Sequence, residues 1–427
     1  MLGCSQRSIP LDAAAKSAEV AAEQSKRTFA SRDNPSIAVL PFTNMSGDPE
    51  QDYFADGMAE EIITALSRCK WLFVIARNSS FTYKGKSVDV RQIGRELGVR
   101  YVLEGSVRRG GSRLRFIGQL IDATSGAHIW ADRFDGELSD VFQLQDRITE
   151  SVVAAIEPKI ERAEIERLRR KPPANLGVYD LLLRAKQLES EFTEESLVAA
   201  LSFVEAALKI DSSYAPAMAL GAYCYAERHV QGWVHHPEDE AKWLRVAWRA
   251  VELDRDDADV LWMSAYAVWR LERNAQRAKE LAYRSLLTNP NSANALTMIG
   301  RMEATTANPD KAFELIERAQ RLNPRAPRDW FMSTAMAVAC FAIGHFDEAV
   351  TWSEKALTQN RRFVVALRVL ASALAKLGRR ARAAGVVQEV LKIEPQLTVS
   401  ILRTNLTWDD GFRNEYCDGL RLAGLPE

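Results

Sequence analysis

The sequence predicts two unlike halves: an α/β amino-terminal domain with a mixed sheet, then an all-α superhelix of stacked helix pairs. Three observations carry that expectation. Helix-type patterns stop at Asp211, Asp254, Asn289, Asn323, Asn360 and Glu394, in steps of 43, 35, 34, 37 and 34 residues. A period of about 34 residues marks a stacked helix–turn–helix array. Residues 36–170 lack that period and alternate short apolar runs with helical spacings. Pro172-Pro173 separates the two patterns and disfavours a continuous helix across them.

In the first half, Ile37-Ala38-Val39-Leu40-Pro41-Phe42 reads as a buried strand stopped by the turn-rich stretch Asn44 to Pro49. Phe54, Met58, Ile62 and Leu66 then recur at helical spacing. Trp71–Ile75 is a second buried strand, and Val90–Leu97 a short helix ended by Gly98. Three strands follow, Tyr101–Val107, Leu114–Asp122 and His128–Phe134, joined by turns at Arg109-Gly110-Gly111-Ser112 and Thr124-Ser125-Gly126. A long helix begins near Asp140, with a kink expected at Pro158. Strand–helix–strand–helix followed by a meander indicates a mixed sheet.

In the second half, small residues stand four before the stops (Ala207, Ala250, Ser285, Ala319, Ala356) and eleven before most of them (Ala200, Ala278, Ala312, Ala349, Ala383). A small side chain lets paired helices approach closely, and Gly300 and Ala371 fill the same role on first helices. The longest step carries an insertion, Gln231 to Pro237, expected to be a long loop. The expected organisation is a polar linker or tether over 1–35, the α/β domain over 36–171, about six helix pairs over 176–395, and a capping segment over 396–427 with a helix near Asn414–Ala423. A solenoid needs such a cap because its last repeat has no neighbour. The halves are expected to be separable near Lys171–Asn175.

These repeats, such as Ala293–Pro324 and Val364–Pro395, resemble tetratricopeptide repeats. The first half resembles the TolB-like amino-terminal domain, on IAVLPF at 37–42, DYFADGM at 52–58, VIARNSSFTYKGK at 74–86, ELGVRYVLEGSVRR at 96–109, QLIDATSGAHIWADRFD at 119–135 and VFQLQDRI at 141–148. The pair is similar to the carboxyl-terminal half of bacterial class III adenylate cyclases and of winged-helix regulators; the ending GLRLAGLPE at 419–427 is similar to that of such cyclases. The resemblance implies a catalytic or DNA-binding domain upstream, and only 35 residues precede the first strand here. It thus implies a non-catalytic regulatory or scaffold protein in bacterial signal transduction. The alternatives are the regulatory part of a cyclase without its catalytic domain, and a lipid-tethered envelope protein.

Composition narrows the choice. Lysine plus arginine number 56 against 57 acidic residues, a net charge of −1, which favours neither nucleic acid nor an anionic membrane as partner. No run of about 18 apolar residues predicts a membrane span. The five cysteines, at 4, 69, 224, 340 and 417, have no zinc spacing and read as reduced thiols of a cytoplasmic chain. Leu2-Gly3-Cys4 resembles a lipoprotein cleavage site without its apolar segment, so a periplasmic or envelope location requires a start further upstream.

No catalytic site, metal or cofactor is expected. There is no phosphate loop or nucleophile elbow. Asp48, Glu50, Asp52 and Asp56 suit a helix start, and His235-His236 with Glu238, Asp239 and Glu240 suit a polar loop opening a helix. The basic run Arg167–Lys171 suits a helix end. The candidate site is the solenoid groove. Aligning the repeats on their stops places Tyr223, Trp262, Tyr266, Trp269, Arg270, Thr297, Arg301, Arg368 and Ser372 on its concave side. Trp262, Tyr266 and Trp269 share one helix face and serve either packing within the solenoid or a protein or peptide partner. The groove around Trp262, Tyr266, Trp269 and Arg270, extended by Arg301 and Arg368, is expected to bind an extended peptide or acidic segment; Arg301 and Arg368 are expected as exposed arginines, so that losing either weakens binding and spares folding.

Overall fold

The computed structural model describes residues 34–47, 52–110, 113–137, 141–168, 177–233, 236–306, 308–322, 329–406 and 408–427. The tether with Cys4, Asp48, Glu50, the Gly111-Ser112 turn, the 171–175 linker, His235 and the stop at Asn323 lie outside the described residues.

A mixed sheet and then a run of helices make up the chain. Strands β1 (Ser36–Val39), β2 (Thr43–Asn44), β3 (Phe73–Val74), β4 (Tyr101–Gly110), β5 (Arg113–Asp122) and β6 (Ala127–Glu137) form one sheet. Its order is β3-β1-β4-β5-β6, with β2 also on β4; β1 runs parallel to β3 and β4, and the β4-β5-β6 meander is antiparallel. The apolar run at 37–40 is continuous because both faces of β1 are covered. Ile37 and Val39 join a core beneath α1 (Asp52–Leu66) and α4 (Val141–Leu168). Ala38 and Leu40 join a smaller core with Ile93 of α3 (Val90–Leu97) on the other face. A short helix α2 (Arg77–Ser80) precedes α3. Asp89 caps α3 by accepting from the Arg91 amide at 2.8 Å, and Gly98 ends it at φ +66°, where glycine is at ease. Helix α4 runs through Pro158 and lays Leu144, Ile148, Val152, Ile156 and Ile160 on one face toward the sheet.

From Val178 the described residues form six helix pairs: α5 (Val178–Glu191) with α6 (Glu194–Ile210), α7 (Ala215–Val230) with α8 (Pro237–Leu253), α9 (Ala258–Ala267) with α10 (Ala275–Thr288), α11 (Ala293–Ala304) with α12 (Pro309–Leu322), α13 (Asp329–Ala342) with α14 (Phe346–Gln359), and α15 (Val364–Lys376) with α16 (Arg380–Ile393). Helices α17 (Val399–Asn405) and α18 (Asp410–Leu422) follow. The repeated stops have a local cause. The amides of Asp211, Asp254, Asn289, Asn360 and Glu394 each close the last helical turn on the carbonyl four residues back. The side chains of Asp211 and Asn289 then accept the amide two residues on, at 2.9 and 3.0 Å, which turns the chain into the next helix.

Within pairs, the small residues sit where expected. A Cβ added at Gly300 would lie 2.6 Å from Ile316 Cγ1 and 3.2 Å from the Ala312 carbonyl oxygen. Gly300→Leu therefore overpacks the α11–α12 crossing. The expected loss is about 1–3 kcal/mol, read as a lower urea midpoint; a midpoint equal to wild type would show that the crossing can open at no cost.

The superhelix closes on itself. Phe192, at the turn between α5 and α6, packs with Trp330 and Phe363, which open the inner helices of the last two pairs; the ring centroids are 4.7 and 5.8 Å away. The expected long loop after α7 reaches the same place: the Gln231 side-chain oxygen accepts from the Val364 amide at 3.2 Å, and Trp233 lies 6.2 Å from Phe192. The insertion is thus a tie between the second pair and the sixth.

Helix α4 and the segment just after α1 also dock the sheet against the solenoid. Lys70 pairs with Asp254 at 2.6 Å, Arg318 with Glu150 at 2.9 Å, and Lys186 with Glu161 at 3.0 Å. Between them, the Cys69 thiol donates to Glu157 at 2.5 Å beside Asp257 and Asp259. Burial pushes the Glu157 carboxyl up to about 7, and burial with the Asp259 charge pushes Asp257 up to about 6. Both acids hold protons more tightly folded than unfolded. Their contribution is complete below the unfolded values and is lost as pH rises through about 6 to 7. Glu157→Gln should match wild type at acid pH and exceed it at pH ~8 by roughly 1–3 kcal/mol in urea unfolding. A variant no more stable than wild type there would mean that Glu157 ionises at no cost.

Candidate functional site

The inner helices of the six pairs place the predicted groove residues together, but most face a closed interior. Tyr223, Trp262, Tyr266, Trp269, Arg301 and Arg368 are all buried, and only Arg270 keeps partial exposure. Tyr223 meets Trp262 edge-on at 5.1 Å and Tyr266 at the same centroid distance, and Tyr266 meets Trp269 at 6.2 Å. Helix α9 widens into a π-turn over Val268–Glu272, and there the Arg270 guanidinium lies 3.6 Å over the Trp269 ring. Arg301 rests on Phe331 at 4.8 Å and Thr297 donates back to the Ala293 carbonyl. The expectation that Arg301 and Arg368 are exposed is corrected: Arg301 is 2% exposed and Arg368 8%. The reason is the closure through Phe192, Gln231 and Trp233, which turns an open concave face into the inside of a ring.

Two acids that the register did not single out as site residues balance this charge. Glu227, fully buried on α7, accepts from the Tyr223 hydroxyl at 3.1 Å. Burial pushes its carboxyl up, while Arg301 and then Tyr266 and Arg270 hold it down. It stands four residues after Tyr223, on the face already chosen, which is the signal that could have found it. Glu394, seen in the sequence only as a helix stop, is ion-paired to Arg368.

The carboxyl-terminal segment supplies the rest. Helix α18 forms where a capping helix was expected, but it packs on α15, the inner helix of the last pair, instead of extending the stack on α16. Ser372 donates to the Tyr416 carbonyl at 2.9 Å, and Gly419 allows the approach. Asp409 donates its amide to the Thr305 carbonyl at 2.8 Å, and Phe341 packs on both Phe412 and Tyr416. Between this tail, the end of α7 and α15 opens a cleft of about 330 Å³. Its polar lining includes Arg270, Arg368, Glu394 and Trp408; Val365, Leu397, Ile401, Leu402 and Leu406 line the apolar part.

The other sequence candidates take structural places. Asp52 accepts from Asn44 at 2.7 Å, and Asp56 pairs with Lys84 at 2.6 Å. Glu240 meets His229 at 3.1 Å, and Arg167 bonds Glu164 at 2.8 Å. Cys69, Cys224, Cys340 and Cys417 are buried thiols. No helix among the described residues is long and apolar enough to cross a membrane.

Known proteins resemble parts of this arrangement. Residues 32–151 match the HilA/YgeH-like transcriptional regulator family, second domain. A Rhizobium meliloti (strain 1021) protein named "Putative adenylate cyclase 3" is 43% identical over 265 residues, covering 62% of this chain and 45% of that protein. This chain thus spans less than half the length of that relative. Among solved structures, a thermophilic tetratricopeptide-repeat protein of Thermus thermophilus is 20% identical, covering 46% of this chain and 99% of that one at a TM-score of 0.36. TolB from Acinetobacter baumannii is 17% identical, covering 29% of each chain at a TM-score of 0.23. The chain's own strand order and helix pairing define its fold: a mixed α/β sheet followed by a tetratricopeptide-type superhelix, with the sheet region similar to the second domain of HilA/YgeH-like regulators.

Proposed function

We propose that this chain is a non-catalytic regulatory scaffold that works by holding an acidic segment of a partner in the inner-face cleft. The observation that carries the reading is Arg270. It reaches the cleft beside Arg368 and makes no ion pair among the described residues, whereas Arg368 is matched by Glu394. Purified chain with ATP and manganese should form no cyclic AMP. Cross-links from a bound partner should fall on the tail helices and the loop after α7, and Arg270→Ala should remove them. Sustained cyclase turnover, or cross-links confined to the outer helices, would overturn the reading.

The cyclase-like relative favours a second reading, in which this chain is the regulatory carboxyl-terminal part of a class III adenylate cyclase. The α/β half would then be the TolB-like element between catalytic and repeat parts. Adding the purified chain to the catalytic domain encoded by such a gene should change its rate of cyclic AMP formation. An unchanged rate at saturating chain would remove this reading and leave the scaffold.

A further inference from the structure

The cleft carries a more specific chemistry than a surface for an acidic segment. Three of its side chains hold buried N–H donors with no acceptor among the described residues: Arg270 Nε, Arg368 Nε and Trp408 Nε1. Buried donors left unmatched are costly, and all three belong to side chains that line one cleft, which points to an acceptor supplied there. Arg270, Arg301 and Arg368 against Glu227 and Glu394 leave one positive charge in excess. That suits a single negative charge, whereas a dianion such as a phosphate monoester would face Glu394 as well. The remaining wall is aliphatic, from Val365, Leu397, Ile401, Leu402 and Leu406. The volume, about 330 Å³, stands at the lower end for sites that enclose small ligands.

We propose that this cleft is the binding site of a small amphipathic carboxylate. Its carboxylate accepts from Arg270 and Trp408, and its hydrocarbon body lies against Ile401, Leu402 and Leu406. The proposal rests on the reading of the cleft as the chain's binding site, and it names the chemistry selected there: a carboxylate on an aliphatic body, which a free effector presents without a protein segment. It also implies regulation. The aliphatic wall belongs largely to the tail and Arg270 to the third pair, so a bound carboxylate ties the tail to the ring. Ligand therefore sets how firmly the tail stays folded against α15.

Octanoate titrated into the intact chain by calorimetry tests this, with octan-1-ol as the uncharged equivalent. Saturable octanoate binding is expected, with octan-1-ol weaker by roughly tenfold, the scale of a lost charge-assisted hydrogen bond. Arg270→Gln should weaken octanoate by about the same factor and leave octan-1-ol unchanged. Trp408→Phe keeps the shape of the wall and removes one donor, so it should weaken octanoate less. Amide exchange over residues 399–406 should slow when octanoate binds. Equal binding of acid and alcohol would overturn the carboxylate reading while leaving the cleft as a site. Binding of an acidic peptide ending in leucine, with none of octanoate, would overturn the free effector and sustain the scaffold reading. If neither binds, both readings fall.

Discussion

Arg301→Ala should cost the protein about 3–5 kcal/mol, the scale of leaving a buried charge uncompensated. Glu227 has no access to solvent, and Arg301 is the strongest of the positive charges that offset its burial. Without Arg301 the carboxylate must either stay charged in a poor environment or take up a proton. The loss should accordingly shrink at acid pH, because a folded-state value raised further makes the variant relatively more stable below it. Two companions separate charge from packing. Arg301→Met retains the contact with Phe331 and should remain destabilised at neutral pH, whereas adding Glu227→Gln to Arg301→Ala should restore much of the stability. Urea unfolding of the three variants is the measurement. Arg301→Ala within about 0.5 kcal/mol of wild type, the ordinary range for surface changes, would return this arginine to the role of an exposed groove residue.

That expectation of an exposed groove shows which parts of the structure are legible in the sequence. The helix stops were readable because their chemistry is local. An Asp or Asn that ends a helix and accepts the amide two residues on leaves its mark within five positions, as at Asp211 and Asn289. The two-sided burial of β1 was readable as an unbroken apolar run, and the face of α4 as apolar residues at steps of four. The inner face of each repeat was also readable: Tyr223, Tyr266, Arg270, Arg301 and Arg368 do come together.

Whether that face is a groove or an interior was not readable, because it depends on contacts between residues far apart in sequence. Gln231 and Val364 are separated by 133 positions, and nothing near either one specifies the other. The tail poses the same difficulty. Its helical pattern at 410–422 is local, but its place on α15 depends on Ser372 and Gly419 being small enough to touch. Trp408 therefore gave no sign in the sequence that it would form a wall of the cleft. The stop at Glu394 shows the opposite limit: a residue with a complete local explanation also neutralises Arg368.

The closure of the ring predicts the second large effect. Phe192 takes a left-handed backbone conformation, φ 52° and ψ 51°, which a side chain beyond glycine adopts at a cost of about 1–2 kcal/mol. It holds that conformation while buried against Trp330, Phe363 and Trp233. The aromatic contacts must exceed the strain, and they are the contacts that join the first pair to the last two. Phe192→Ala should remove them and keep the strain, for a loss of about 3–5 kcal/mol. Phe192→Gly removes the same contacts but also relieves the backbone, so it should be milder than alanine by a few tenths to about 1 kcal/mol. This reverses the order of the two substitutions found inside a helix. Amide exchange should quicken around residues 231–233 and 363–367 in both variants, with less change in the third and fourth pairs. Small-angle scattering should show a larger radius as the ring opens. If alanine proves milder than glycine, or exchange at 363–367 stays as slow as in wild type, the superhelix holds its closure without Phe192. The buried fate of Arg301 and the shape of the cleft would then rest on Gln231 and Trp233 instead.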